Sequence, residues 1–339
     1  MRNVYYVNTC CCRSRVSSDI ECRVLVPAVS QAFDELLKQG QCGAVAPLLS
    51  VLSEGFTKAS DLTPELVSFF TGALGLRSSS PGVSLTEIAT MEDAVIDCLT
   101  SVVLKLSESA FRPLYYRLYN WAVRAEVGRV ERAITFYRLS SRIAESLKGL
   151  FVLFAGHFVS DAARLLDENN ADKKQTDDDV TTSCLLLDSV LRTLLTVFTY
   201  DSKHFVTKER FNILLQPLVD QLENLTGGCE VAKERWDKLV TPCLAEMAAS
   251  TPDDTLWKQL SYQILLKTRH HSPLVRIAGL KTVHELARKL GEDFLPLLPE
   301  AVPFLAELLE DDEESVEKEC QRVVADMEAI LGEPIQKYF

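Results

Sequence analysis

The chain has 339 residues, 47% hydrophobic and 25% charged, with a net charge of −12. This is ordinary globular composition, with length for two domains or one continuous array, which excludes a chain too small to bury a sizeable core. The charge is uneven: residues 1–160 carry 16 Lys/Arg against 15 Asp/Glu, a net +1, and residues 161–339 carry 20 against 33, a net −13. The two halves therefore face different partners, or the second is simply more solvated.

Residues 1–21 show no sustained period and read as an irregular N-terminal segment. From Cys22 the apolar spacing is helical as far as Gly40, a helix stop. A second helix is expected near 44–56. Thr63, Pro64 and Glu65 form an N-terminal signal for a third, which runs to about Leu74. Gly75 to Gly82 reads as a loop. Long helices follow at 84–106, where Ile88, Met91, Val95, Cys98, Val102 and Leu106 recur mostly three or four apart, and at 109–124, 129–147 and 148–166. Residues 167–180 are polar and acidic and read as a loop or disordered insert. Helices resume at 184–200 and 205–225, Gly227 and Gly228 break the pattern, and further helices are expected at 231–249, 254–267, 273–290, 295–309 and 315–331. Pro296, Pro299 and Pro303 should kink or delay the helix near Leu295. No stretch alternates as a strand does.

The last part of the chain repeats. Shifted by 41 residues, 270–291 lies over 311–332, placing Val275 on Val316, Val283 on Val324, Leu290 on Leu331 and Gly291 on Gly332. A unit of two helices in this length falls in the HEAT and armadillo range. A lone pair cannot bury its apolar stripe but stacked pairs can. The expected fold is all-α, an α-solenoid of HEAT-like helix pairs forming an armadillo-type superhelix. Its parts are an irregular helical region at 22–166, the insert at 167–180, and repeats over 181–339, clearest at 253–339.

Ten cysteines show no CxxC pair, and Cys98 and Cys320 sit in apolar helical patterns, so a reducing, nuclear or cytosolic compartment is expected. The run Cys10 to Cys12 reads as incidental, although a ligand cluster or acylation site has the same appearance. No secretory signal is visible, which leaves the sequon at Asn224 without a role. The apolar run 150–159 is too short to span a bilayer, and 185–198 is interrupted by Asp188 and Arg192. His284 and Glu285 begin an HExxH signature, but Arg288 stands where the second histidine is needed. Phosphate-binding and nucleophile-elbow motifs are absent. The chain is expected not to be an enzyme and to use no cofactor, metal, small-molecule substrate or membrane.

One constellation stands out. Lys105, Arg112, Arg117, Arg124, Arg129, Arg132, Arg138, Arg142 and Lys148 are opposed only by Glu108, Glu126, Glu131 and Glu145, a net +5. Phe111, Tyr115, Tyr116, Tyr119, Trp121, Phe136 and Tyr137 are interleaved among them. Basic groups with stacking partners suit RNA or an acidic protein segment. Alternatively, the aromatics are core and the arginines a solvated face. Arg112, Tyr116 and Tyr119 share one helical face, which favours contact. Reversing Arg117, Arg124 and Arg138 to Glu is expected to weaken binding.

The block 104–122, with Ile134 to Tyr137 and residues 147–159, 214–224, 256–269, 303–311 and 331–339, resembles the C-terminal domain of the HEAT repeat-containing protein 1 family, whose yeast members are known as U-three small nucleolar RNA-associated protein ten. The resemblance covers about 22–339 in order. It implies a nucleolar scaffold of the small-subunit processome that supports pre-rRNA processing, 18S rRNA maturation and transcription by RNA polymerase I. The implied partners are processome proteins, pre-rRNA and the U-three RNA, reached directly or through the complex. It implies no catalytic residues. The chain is far shorter than a full family member, so it is expected to hold the C-terminal part of a longer array, and residues 1–21 match nothing in the family. The alternative is a general HEAT adaptor, such as a transport receptor or phosphatase scaffold.

Overall fold

A computed structural model describes residues 22–57, 62–79, 84–124, 128–171, 179–332 and 334–335. Among these residues the regular structure is helical throughout and no strand occurs. They form two compact units that divide between Leu147 and Lys148.

The first unit contains α1 (Cys22–Lys38), α2 (Val45–Gly55), α3 (Pro64–Ala73), the single turn α4 (Leu76–Ser79), α5 (Leu85–Val103), α6 (Glu108–Val123) and α7 (Arg129–Leu147). Helices pair as α1/α2, α3/α5 and α6/α7; α1, α3 and α6 stack in one layer, and α2, α5 and α7 in the other. The end signals act as expected. Gly40 takes φ +64° after α1, and the Thr63 hydroxyl accepts the Leu66 N–H with Pro64 in the first turn. Ser84 and Glu87 close a reciprocal capping box at the start of α5. Ser84→Ala should lower the stability of the first unit by about 1 kcal/mol, read as a shift in its unfolding midpoint. The stretch expected to be loop contains α4. There the Gly75 carbonyl accepts the hydroxyls of Ser78 and Ser79 at 2.9 and 3.0 Å, and Leu76 is buried beneath them.

The second unit opens differently from the expected single helix over 148–166. A 3-10 turn (Lys148–Leu150), the short α8 (Val152–Ala155) and α9 (Val159–Glu168) replace it. Lys148 takes φ +52°, and a Cβ on Gly149 would stand 2.6 Å from the Ser202 Oγ and one on Gly156 2.7 Å from the Arg210 Nη2. The two bends let Phe151 and Phe158 both reach the core.

From here the repeat is regular. The elements are α10 (Val180–Thr199), α11 (Lys208–Val219), α12 (Cys229–Arg235), a π-helical turn (Trp236–Val240), α13 (Thr241–Ala249), α14 (Asp254–Lys267), α15 (Pro273–Leu290), α16 (Leu298–Leu309) and α17 (Glu314–Leu331). One layer runs α9, α11, α14, α16 and the other α10, α13, α15, α17, with pairs α9/α10, α11/α13, α14/α15 and α16/α17. The 41-residue period is visible as contact: the hydroxyls of Thr241 and Thr282, 41 positions apart, lie 2.9 Å from each other in the buried seam between α13 and α15. Equivalent positions of successive pairs touch, as stacking of identical units requires. The fold is thus an α-solenoid of HEAT-like pairs. Pro296 falls in a 3-10 stretch (Gly291–Leu297), and α16 is delayed to Leu298.

The polar insert is anchored where the structure describes it. The Asn224 side chain donates to the Asn169 carbonyl at 3.2 Å and accepts the Ala171 N–H at 3.1 Å; residues 172–178 lie outside the described residues, as do Cys10 to Cys12. Asn224 is fully buried, so the sequon's asparagine is an internal tie. By length and composition α10 is apolar enough to cross a bilayer. Here its Leu186, Leu187, Val190, Leu191 and Leu194 are completely buried, as in a core helix. The Cys98 and Cys320 thiols are buried against the carbonyls of Leu49 and Leu305, and burial pushes both up to about 12.

Candidate nucleic-acid interface

The basic constellation lies on α6 and α7, apart from Lys105 just before them, Arg124 just past the end of α6 and Lys148, which begins the second unit. The core side of α6 is Phe111, Leu114, Tyr115, Leu118 and Ala122. Tyr115 is completely buried, shares a 3.0 Å hydrogen bond with Ser140 and sits 5.6 Å from the Phe136 ring centroid. Its hydroxyl is pushed up by burial. Phe111, Phe136 and Tyr137 belong to the same cluster. Most of the interleaved aromatics are therefore core, and only Tyr116, Tyr119 and Trp121 reach the surface, each half-buried.

The basic residues divide into two sets. Arg138 points inward from α7. It pairs with Glu92, a carboxylate 1% exposed, and with Asp93 at 2.7 Å. Arg77 reaches the same Glu92 at 2.5 Å, and the Thr135 hydroxyl donates to it. Two guanidinium groups on one buried carboxylate tie α4, α5 and α7 together. Arg112 is held by Glu108 at 2.5 Å and donates to the Tyr116 hydroxyl at 3.2 Å; these bonds, the Glu108 one first, push its pKa up. Arg142 pairs with Asp97 at 3.1 Å and lies 3.7 Å from Glu145. Arg132 stacks over the Trp121 ring at 5.3 Å. Lys105 donates to the carbonyls of Ser53 and Phe56 at 2.7 and 2.8 Å. In the second unit, the Lys148 ammonium stands 5.9 Å from the Tyr200 ring centroid.

Arg117, Arg124 and Arg129 form the other set. All three are exposed, and among the described residues their guanidinium groups make no ion pair or hydrogen bond. Arg117 lies on α6 and Arg124 is the residue that caps its C-terminal end, seven positions on. Arg129 is the first residue of α7. These are the guanidinium groups of the constellation left uncommitted to the fold. Reversing Arg138 would set a new carboxylate against Glu92 and Asp93, and lost binding would then report a damaged core. Arg129 is the sound third member of a reversal.

Residues 58–206, which hold α5, α6 and α7, match the BP28CT (NUC211) domain. Over 327 residues the chain is 45% identical to HEAT repeat-containing protein 1 of Homo sapiens, covering 94% of this chain and 15% of that protein. The chain belongs to the HEAT repeat-containing protein 1 family. It is 40% identical to the HEAT repeat-containing protein 1 homolog of Drosophila melanogaster over 96% of its length. It is 30% identical over 74% of its length to a Lodderomyces elongisporus protein named U3 small nucleolar RNA-associated protein 10. The chain spans between 14% and 16% of these relatives. The domain match takes in both Glu92 with its arginines and the exposed stripe, so the family segment carries a built core tie and an open basic surface side by side.

The incomplete HExxH signature resolves into surface pairing. Glu285 binds Arg288 at 2.5 Å, and burial holds the His284 imidazole below its ordinary range. Among the described residues no three His, Cys, Asp or Glu side chains are grouped as metal ligands.

Proposed function

We propose that this chain is a non-catalytic scaffold module of nucleolar ribosome biogenesis. In that role it supports small-subunit pre-rRNA processing, 18S rRNA maturation and rRNA transcription by RNA polymerase I within the small-subunit processome. The observation that carries this is the identity over 91% and 96% of the chain to relatives named for association with the U3 small nucleolar RNA. Stacked helix pairs suit the role, because each pair adds surface to which partners can bind. Arg117, Arg124 and Arg129 supply the contact to RNA phosphate, and Arg112, Arg132 and Arg142 add to the positive field, while Lys148, on the second unit, is a separate contact. Processome proteins hold the remaining surfaces.

The test is affinity purification of the tagged chain from nuclear extract, with RNA sequencing and mass spectrometry of what is retained. Recovery of U3 RNA and processome proteins, with the tag in nucleoli, is the expected result. Recovery of import cargo or phosphatase subunits would replace this role with a general adaptor.

A further inference from the structure

A groove of about 690 Å³ runs between α1 and α3 on the first unit. Its floor is apolar. Phe33 of α1 meets Phe69 of α3 edge-on at 5.5 Å between ring centroids, and Val26, Ala73 and Leu76 lie beside them. Each wall carries one acid, Asp34 on α1 and Glu65 on α3, and among the described residues no Lys, Arg or His lines the groove. Both carboxylates are exposed, and neither makes an ion pair among the described residues. Glu65 is held below the usual carboxylate range by its own backbone N–H and then by the Thr63 hydroxyl; Arg23, which does not line the groove, adds a smaller lowering. At Gly72 the α3 wall is bare, since a Cβ there would meet nothing within 4 Å.

The chemistry selects an occupant. Two unpaired carboxylates repel a phosphate backbone, so nucleic acid does not fit. No strand edge exists among the described residues to accept an extended peptide by pairing. What remains is a channel between two helices, lined along α1 from Val26 to Leu37, or about 16 Å at the helical rise. That is about three turns of a helix laid in the groove. We propose that this groove docks a cationic amphipathic helix of a protein partner, its apolar stripe over Phe33 and Phe69 and its Lys or Arg side chains between Asp34 and Glu65. The partner is distinct from whatever meets Arg117, Arg124 and Arg129, and the groove does not depend on the RNA-binding role.

The probe is a short fluorescent helical peptide with Leu at i, i+4 and i+7 and flanking Lys, paired with a twin carrying Glu in place of Lys. Measured by anisotropy on the full chain at low salt, the Lys peptide should bind about tenfold more tightly than its twin. Asp34→Lys with Glu65→Lys should abolish or reverse that preference. Gly72→Leu should fill the groove and abolish binding without harming the fold, because leucine meets open space there and is the better helix former. RNA binding read on the same Gly72→Leu chain should be unchanged, so this test and the RNA test fail separately. Equal affinity for both peptides overturns the proposal, as does Lys-peptide binding that survives Gly72→Leu. Self-association of the chain that Gly72→Leu removes would make a second copy the occupant, which also overturns it.

Discussion

Glu92→Ala is expected to cost the first unit about 3–5 kcal/mol, because it strips the counter-charge from the Arg77 guanidinium, which is already out of water. The Arg77 side chain is 6% exposed and the Glu92 side chain 2%. With the carboxylate gone, Arg77 is left without a partner beside Arg138, which keeps only Asp93, and the Thr135 hydroxyl keeps only the Glu131 carbonyl. Hydrogen exchange reads the loss by region: amides of α5 and α7 should lose protection, while those of α14 to α17, in the other compact unit, keep theirs. Replacing Glu92, Arg77 and Arg138 together by apolar residues of similar volume should recover most of the stability, since removing a whole buried ion cluster is often neutral. Asp93→Asn marks the contrast. Asp93 pairs with the same Arg138, but its side chain is 48% exposed, so its loss should be below about 1 kcal/mol. Equal losses for Glu92→Ala and Asp93→Asn would show that burial does not set the energetics here.

Half of that cluster was legible in the sequence. Glu92 stands four residues after Ile88 and three before Val95, on the apolar stripe of α5, and an acid in such a stripe announces a buried partner. The partner itself was hidden. Arg77 lies in a stretch whose Gly, Ser and Pro content reads as loop, and only the Gly75 carbonyl, capped by two serine hydroxyls, turns it into α4. The break of 148–166 was hidden for a related reason. Its apolar spacing fits one helix, and the neighbours that crowd Gly149 and Gly156 in the observed bends, Ser202 and Arg210, lie some fifty residues away. By contrast, the pairs at 254–331 were readable because each helix carries its own ends and period, so neighbours add nothing to the prediction. The basic stretch fell between. Its composition announced a charged surface, but which arginines are committed inward depends on carboxylates of α5, which sequence spacing does not align with α7.

Reversal of Arg117, Arg124 and Arg129 to Glu is the corresponding test of the exposed set. The stretch from Lys105 to Lys148 carries +5, and three reversals change it by six, to −1. Each arginine that meets a phosphate releases condensed counterions, so its loss flattens the salt dependence of binding as well as weakening it. For single-stranded RNA, losing three contacts should reduce the slope of log K against log salt by about 2. Affinity near 50 mM salt should fall by at least about a hundredfold, because each reversal also adds repulsion. None of the three side chains makes an ion pair or hydrogen bond among the described residues, so the melting midpoint should stay put, unlike that of Glu92→Ala. Filter binding or anisotropy with a fluorescent pre-rRNA fragment, run across a salt series, gives both quantities at once. A fall in affinity with an unchanged slope would mean that these arginines touch no phosphate. Unchanged affinity and slope would move RNA contact off this surface and leave α6 and α7 to an acidic protein segment.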